Sequence, residues 1–272
     1  MLHTFIIVSL FGYLTSLVLY VVSVSLRKAK VSEYATAVFA GALGAQTVSL
    51  LLLLLDQKGS ILTNTGDFYF WVAWSFAIIF MVAGKRVRYP AIGACVSGMS
   101  VVLFVSSSLM AHETPAVTES ISSLVLVFHV LPALLSEALL LFAFIVSVLF
   151  LLHERQLKKK SVNLTVSHGP SIDALETLNL RFVLWGFIAM SLAVISGSVW
   201  AISEHKSLIR SDVLEWSAYI AWILLAGILQ ARYQFHYSSR RVAQFTVLVV
   251  GIFFASLLLV LFTVGSSFHA LY

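Results

Sequence analysis

The stretch VLPALLSEALLLFAFIVSVLFLL, residues Val130–Leu152, contains a single charged residue, Glu137, and is followed at once by HERQLKKK, residues 153–160. A helix needs about 20 apolar residues to cross the hydrocarbon core of a bilayer. A backbone in lipid must satisfy its own hydrogen bonds, so this run predicts a transmembrane helix that ends at a basic flank.

Similar apolar segments recur along the whole chain. Hydrophobic residues make up 60% of the sequence and charged residues 11%, and the mean hydropathy is +0.99. Soluble domains carry roughly a quarter charged residues. The sequence therefore predicts an all-α integral membrane protein with eight transmembrane helices, over Thr4–Ser25, Tyr34–Leu55, Phe68–Gly84, Ala91–Ala111, Val130–Leu152, Phe182–Ile202, Trp216–Ala231 and Ala243–Ser266.

The basic residues are distributed unevenly between the two sides of these predicted spans. Of the 17 Lys and Arg residues, all but Lys58, Lys206 and Arg210 fall in loops on one side. The positive-inside rule makes that side cytoplasmic, and both termini are then predicted on the outer side. This asymmetry accounts for the pI of about 9.4 and favours contact with membrane lipids, with no nucleic acid as a partner.

The chain is predicted to be one polytopic membrane domain over residues 1–272, located in the bacterial cytoplasmic membrane. It has no phosphate-binding loop, no dinucleotide-binding glycine pattern and no hydrolase motif, which argues against a pump or a hydrolase. Its one cysteine, Cys95, excludes an intrachain disulfide and a site built from several thiolates.

Two histidines stand out because the predicted topology places both at the outer membrane boundary. His129 begins the fifth span and His269 follows the eighth. Two neutral imidazoles that face each other across an apolar slot could supply both axial ligands of a haem iron. The alternative is that each histidine only bonds lipid headgroups or loops.

Several motifs after Phe128 resemble one family. They are His129-Val130, the stretch GFIAMSLAVISGSVWA (Gly186–Ala201), Asp212-x-x-Glu215, Arg240-Arg241-Val242-Ala243 and His269-Ala270-Leu271-Tyr272. Together they resemble the cytochrome c assembly family of CcsA- and CcmC-like proteins, and its shorter HemX-type members in particular. The resemblance covers residues 128–272, which are predicted to form a CcsA/HemX-like haem-handling core.

The chain departs from the family at the tryptophan-rich WWD loop. His205, Ile209 and Ser211 stand where tryptophans are expected, and Gln230 replaces an intramembrane histidine. The loop is therefore a degenerate WWD loop, with Trp200 and Trp216 as the nearby aromatic residues. These departures imply that the chain is not an enzyme of the complete cytochrome c synthase type.

The resemblance implies a haem-binding membrane protein that holds or transfers b-type haem at the outer face. His129 and His269 would be the axial iron ligands, and the haem would be non-covalent because the chain has no Cys-x-x-Cys-His motif. The remaining predicted binding residues lie in or beside the degenerate loop: Trp200, His205, Lys206, Arg210, Asp212 and Trp216. Lys206 and Arg210 would neutralise the propionates, and His205 is either an alternative ligand or a solvated loop residue.

Two other functions remain open. HemX-type relatives imply a regulator of tetrapyrrole synthesis that contacts glutamyl-tRNA reductase through the Arg155–Arg181 loop, whereas the haem-handling function implies cytochrome c assembly proteins as partners. A small-solute transporter would need paired broken helices, which the sequence does not show. Glu137, eight residues after His129, is predicted to face the bundle, either as the polar wall of a pocket or in a bond between helices.

Overall fold

The computed structural model describes residues 2–56, 65–83, 89–110, 126–158, 170–205 and 213–269. Side chains at positions 56, 65, 110, 126–127, 200–201, 203–205, 213–215 and 257–269 also lie outside the description. Within these ranges the chain forms eight α-helices, one π-helical turn (Leu126–Val130) and no strand. The helices are α1 (Leu2–Leu26), α2 (Ala29–Asp56), α3 (Thr65–Ala83), α4 (Pro90–Met110), α5 (Leu131–Lys158), α6 (Ile172–His205), α7 (Val213–Tyr233) and α8 (Ser239–His269).

The helices confirm the predicted all-α integral membrane protein. In the described part of the chain, seven of them are long and apolar enough to cross a membrane, and α7 is the exception. α7 matches the predicted Trp216–Ala231 span, but its last turns carry Gln230 and Arg232, which lower its hydropathy. Its membrane crossing and the outer location of both termini stay predictions.

The polar stretch between the fifth and sixth spans contains more helix than the sequence indicated. α5 continues to Lys158, where an ion pair of 2.6 Å joins Lys158 to Glu154 one turn earlier. α6 begins at Ile172, ten residues before the predicted membrane span, in the stretch Ser171-Ile172-Asp173 that the sequence indicates as a short amphipathic entry to this helix. Asp173 in the first turn of α6 stabilises this early start, because a negative charge favours a helix N-terminus.

The chain divides into two compact units. Unit 1 comprises Met1–Glu119 with Leu152–Ile172, and unit 2 comprises Ser120–Leu151 with Asp173–Tyr272. Unit 1 therefore contains α1 to α4, and unit 2 contains most of α5 with α6, α7 and α8. The predicted single membrane domain stays a prediction.

In unit 1, α1 has its polar face inside and its aliphatic face outside. Its buried residues are all serines and tyrosines, at a spacing of three or four: Ser9, Tyr13, Ser16, Tyr20 and Ser23. The opposite face exposes Ile7, Phe11 and Val18. Lipid chains solvate aliphatic surfaces as well as a protein core does, so close packing and hydrogen bonds between helices determine which face is buried.

Hydrogen bonds and close contacts join the helices of unit 1. The Tyr13 hydroxyl donates to Gln46 Oε1 at 2.6 Å, and Gln46 Nε2 donates to the Phe70 carbonyl at 3.1 Å, which links α1, α2 and α3. A Cβ atom added at Gly12 would lie 2.7 Å from the Cβ atom of Ala42. These contacts explain why small and polar residues occupy the inner faces of such apolar helices.

In unit 2, α5 and α6 pack antiparallel along a continuous series of contacts. Contacting residues rise in number along α5 as they fall along α6: Ser136 Oγ donates to the Gly186 carbonyl at 3.0 Å, the Phe142 and Phe182 rings stack at 5.1 Å, and Ser147 Oγ donates to Asn179 Oδ1 at 2.9 Å. This register brings the start of α5 beside the C-terminal half of α6. His129, in the turn that precedes α5, therefore lies against α6.

The other face of α6 packs against α7. Trp222 Nε1 donates to Ser191 Oγ at 2.8 Å while the Trp222 and Phe187 rings stack at 6.1 Å. Farther along the same pair of helices, an ion pair joins Glu176 near the start of α6 to Arg232 near the end of α7. α6 is thereby held on two sides, which makes it a rigid support for the turn that precedes α5.

Candidate functional site

The π-helical turn Leu126–Val130 brings His129 to the start of α5. Pro132 lies just inside α5 and has no backbone N–H, so it cannot donate the α-helical hydrogen bond to the Phe128 carbonyl four residues earlier. Ser196 Oγ on α6 lies 2.8 Å from that carbonyl oxygen and donates to it. A backbone carbonyl left without its helical donor by proline thus has a partner on the neighbouring helix.

The imidazole of His129 is held in one orientation by α6. Its Nδ1 atom lies 2.8 Å from the Ala193 carbonyl oxygen. A carbonyl oxygen only accepts hydrogen bonds, so Nδ1 carries the proton and donates it. In the neutral ring, Nε2 then carries the lone pair and is the nitrogen available to bind a metal ion.

Gly197 allows this close approach. A Cβ atom at Gly197 would lie 2.7 Å from Cε1 and 2.9 Å from Nδ1 of His129, and both distances are too short for real atoms. The imidazole therefore rests directly on the helix backbone, one turn beyond Ala193. The ring is half-buried, and the neighbouring Phe128 is 62% exposed, so the turn lies at the surface of unit 2.

Most of the other predicted site residues fall outside the described residues or side chains. Trp216 is described in the first turn of α7 and is 47% exposed. The second predicted ligand, His269, ends α8, and its side chain is not described. The same holds for Trp200 and His205 near the end of α6, and Lys206, Arg210 and Asp212 lie wholly outside the described residues. Among the described side chains no group of three or more His, Cys, Asp and Glu could hold a metal ion.

Sequence reasoning missed the α6 residues that hold His129. Ser196 and Gly197 belong to the stretch that carried the family resemblance, but nothing in a linear sequence pairs them with a turn more than 60 residues earlier. The available signals were Pro132, which deprives Phe128 of its α-helical donor, and a glycine inside an otherwise strong helix. Neither signal identifies the residue on the other segment that it contacts, so a structure is needed to pair them.

Two other titratable residues lie inside the molecule. Glu137 is 8% exposed, and within the described ranges no hydrogen bond reaches its carboxyl group. The prediction that Glu137 faces the interior is confirmed. The sequence indicates His153 and His236 as ordinary surface residues. His153 is 3% exposed, so that prediction is wrong for it, while His236 is exposed.

Gln46 and Gln230 lie within predicted spans, and the sequence favours helix packing over a polar pocket wall for both. The structure separates the two residues. Gln46 is fully buried and bonded on both sides of its amide group. Gln230 is exposed, and its amide donates at 3.1 Å to Gln234 one turn later. Gln230 therefore takes no part in helix-to-helix packing within the described residues.

Comparison with known proteins identifies the family of the chain. A family model described as Cytochrome C assembly protein matches residues 62–271, which includes the predicted core and extends it into unit 1. Proteins named "Cytochrome c biogenesis protein CcsA" are similar over most of the chain. The one from Synechococcus sp. (strain CC9311) is 25% identical over 256 residues, covering 82% of this chain and 84% of the relative.

Two further CcsA proteins show comparable similarity. The protein of Prochlorococcus marinus (strain MIT 9313) is 25% identical over 232 residues, or 74% of this chain and 72% of the relative. That of Chlamydomonas reinhardtii is 26% identical over 205 residues, or 70% of this chain and 56% of the relative. With a family model that spans α3 to α8 and the helical membrane fold, the chain belongs to the cytochrome c assembly protein family.

Proposed function

We propose that this protein holds or transfers non-covalent b-type haem at the outer face of the membrane, with His129 and His269 as the axial ligands of the iron. Membership of the cytochrome c assembly family supports a haem-handling role. The observation that carries the proposal further is the hydrogen bond from His129 Nδ1 to the Ala193 carbonyl.

That hydrogen bond fits the chemistry of a metal ligand. Histidines that bind metals almost always donate their second ring N–H to a carbonyl or a carboxylate, which fixes the tautomer and makes the ligating nitrogen more basic. His129 has this arrangement, with Nε2 as the lone-pair nitrogen.

The chain's own residues would hold the cofactor by ligation, packing and charge. His129 and His269 would occupy the two axial positions, and Trp200 and Trp216 would pack against the porphyrin. Lys206 and Arg210 would pair with the propionates, while His205 and Asp212 would complete the outer loop. The bound haem would supply a redox-active iron to a partner protein, since the chain itself has no attachment motif.

This proposal makes the protein an accessory factor rather than a complete cytochrome c synthase. The aromatic WWD platform is degenerate, with His205, Ile209 and Ser211 at the expected tryptophan positions. Its partners would be other cytochrome c assembly proteins in the bacterial cytoplasmic membrane. Haem would be received or passed on at the outer leaflet.

The test is the visible absorption spectrum of purified protein from haem-replete cells, oxidised and reduced, with and without added hemin. We expect a six-coordinate low-spin spectrum in the wild type that is lost or becomes high-spin in both His129→Ala and His269→Ala. His236→Asn is the matched control, because His236 is exposed and its φ of 50° suits asparagine.

A wild-type protein that is colourless as purified and takes up no added hemin would overturn the proposal. So would His129→Ala and His269→Ala proteins whose spectra equal that of the wild type. Retention of glutamyl-tRNA reductase by a colourless protein, lost when the Arg155–Arg181 segment is changed, would favour the regulator of tetrapyrrole synthesis instead.

A further inference from the structure

We infer that Ser196 and Gly197 of α6 are positioning residues for His129, which hold its turn and its ring so that Nδ1 bonds to α6 and Nε2 remains the ligating atom. The inference rests on the proposed function for its consequence in haem binding. The contacts of Ser196 and Gly197 with the turn and the ring of His129 can be tested in haem-free protein. We refer to Ala193, Ser196 and Gly197 as the α6 clamp.

Gly197 sets the depth of the imidazole. A Cβ atom at position 197 would lie 2.7 Å from Cε1 and 2.9 Å from Nδ1 of His129, so no side chain fits there while the ring stays in place. Nε2, on the other side of Cε1, is 3.6 Å from the same point, so the most crowded edge is the Nδ1–Cε1 edge that bonds to Ala193. A methyl group at position 197 would push this edge outward and weaken the bond from Nδ1 to the Ala193 carbonyl.

Ser196 holds the backbone that carries the histidine. Its hydroxyl lies 2.8 Å from the Phe128 carbonyl oxygen, and its one proton is shared with the Leu192 and Ala193 carbonyls of its own helix at 2.6 Å and 3.1 Å. Because Pro132 withholds the α-helical donor from the Phe128 carbonyl, the serine offers that carbonyl a donor from another helix. Removal of the hydroxyl frees the turn, but it leaves the contact of Gly197 with the ring intact.

The two residues thus act on different parts of the same ligand. Gly197 controls the ring and its tautomer, and Ser196 controls the position of the π-helical turn. Outer-sphere residues of this kind typically change metal affinity by about 10- to 100-fold when mutated. We expect Gly197→Ala to reach that range and Ser196→Ala to have a smaller effect, because other contacts of the turn remain.

The experiment compares Gly197→Ala with Gly227→Ala by hemin titration and by electron paramagnetic resonance of the ferric protein. Both substitutions add one methyl group within a helix of unit 2, but at Gly227 no atom lies within 4 Å of the new Cβ. We expect roughly 10-fold or greater loss of hemin affinity and a partial high-spin signal in Gly197→Ala only. Equal spectra and affinities in the two variants would overturn the inference.

A second readout does not need haem. In haem-free protein labelled with ¹⁵N-histidine, the His129 signal is identified by its loss in His129→Ala. We expect the Nδ1–H tautomer in the wild type and in Gly227→Ala, and a mixture of tautomers in Gly197→Ala. A mixture already present in the wild type would overturn the inference, whether or not hemin binds.

This pair of readouts separates the two proposals. A wild type with a fixed tautomer that binds no hemin would contradict the proposed function while it supports the α6 clamp. If the wild type binds hemin and the spectra of Gly197→Ala and Ser196→Ala are unchanged, the proposed function is supported and the α6 clamp is contradicted. If Gly197→Ala does not accumulate as folded protein, Ser196→Ala decides the question by hemin affinity and spin state, because this substitution changes the turn and leaves the contact between Gly197 and the ring intact.

Discussion

Buried polar side chains have different roles in unit 1 and in unit 2. In unit 1 the buried tyrosine and glutamine Tyr13 and Gln46 bond to each other and to the Phe70 carbonyl, so the polar groups join the helices. In unit 2, His129 uses one ring nitrogen for structure and keeps the other available, and no described residue bonds to the carboxyl group of Glu137. Unit 2 has hydrogen bonds between helices as well, so the difference lies in these two residues, each with a polar atom that bonds to no described residue.

The most buried and the least buried of the candidate membrane spans, α5 and α1, belong to different units. In the most apolar 18-residue window of each span, 72% of the residues are buried for α5, against 22% for α1. A buried helix that carries a glutamate and directly follows a histidine has a desolvation cost that packing does not require. This cost singles out α5 as the helix on which the proposed site depends.

The largest effect is expected where unit 1 depends on close packing. Gly93→Ala would place a Cβ atom 2.5 Å from Cε1 of the Tyr20 ring, so we expect a loss of about 1–3 kcal/mol in the free energy of unfolding from overpacking. Reversible unfolding in mixed micelles measures this loss. Gly44→Ala is the control, because nothing lies within 4 Å of its added Cβ, and equal stability of the two variants would show that the α1–α4 contact is not tight.

A smaller loss is expected when the polar network of unit 1 is broken. Gln46→Leu leaves the Tyr13 hydroxyl and the Phe70 carbonyl without their partner, which costs about 1 kcal/mol for a buried group. The same unfolding assay measures it. In the Gln46→Leu background, Tyr13→Phe should cost less than it does alone, and additive losses would mean that the two residues do not act as a pair.

The smallest effect on stability is expected at Glu137 in unit 2. Because no described residue bonds to its carboxyl group, Glu137→Leu should leave the free energy of unfolding unchanged within about 0.5 kcal/mol or increase it. Measured beside Gln46→Leu, this variant tests the contrast between the units directly. A loss as large as that of Gln46→Leu would assign Glu137 a structural role and remove the contrast.

The sequence predicted the helical membrane fold well because its signal is physical and local. A run such as Val130–Leu152 can only be solvated by lipid or by other helices, so its secondary structure follows from its composition. Apolar runs mark the membrane spans and not the helix ends, so the start of α6 at Ile172 was indicated only by the turn residues Gly169-Pro170 and the polar entry that follows them. Hydropathy carries no signal for such extensions.

The candidate site was predicted only in part. Topology and family resemblance drew attention to His129, but the contacts that set its tautomer come from Ala193 and Gly197 on another helix. Such pairing depends on the antiparallel register of α5 and α6, which no local pattern encodes. In the same way, the inward face of α1 could not be predicted from hydropathy, because Ser9 and Tyr13 are buried while Ile7 and Phe11 are exposed.

The most direct test of the central claim is imidazole rescue of His129→Gly, followed by the visible spectrum of the hemin-loaded protein. We expect the variant alone to give a weak or high-spin spectrum, and added imidazole to restore the low-spin spectrum of the wild type by filling the space beside Ala193. A variant that keeps the wild-type low-spin spectrum without imidazole would contradict the assignment of His129 as a haem ligand.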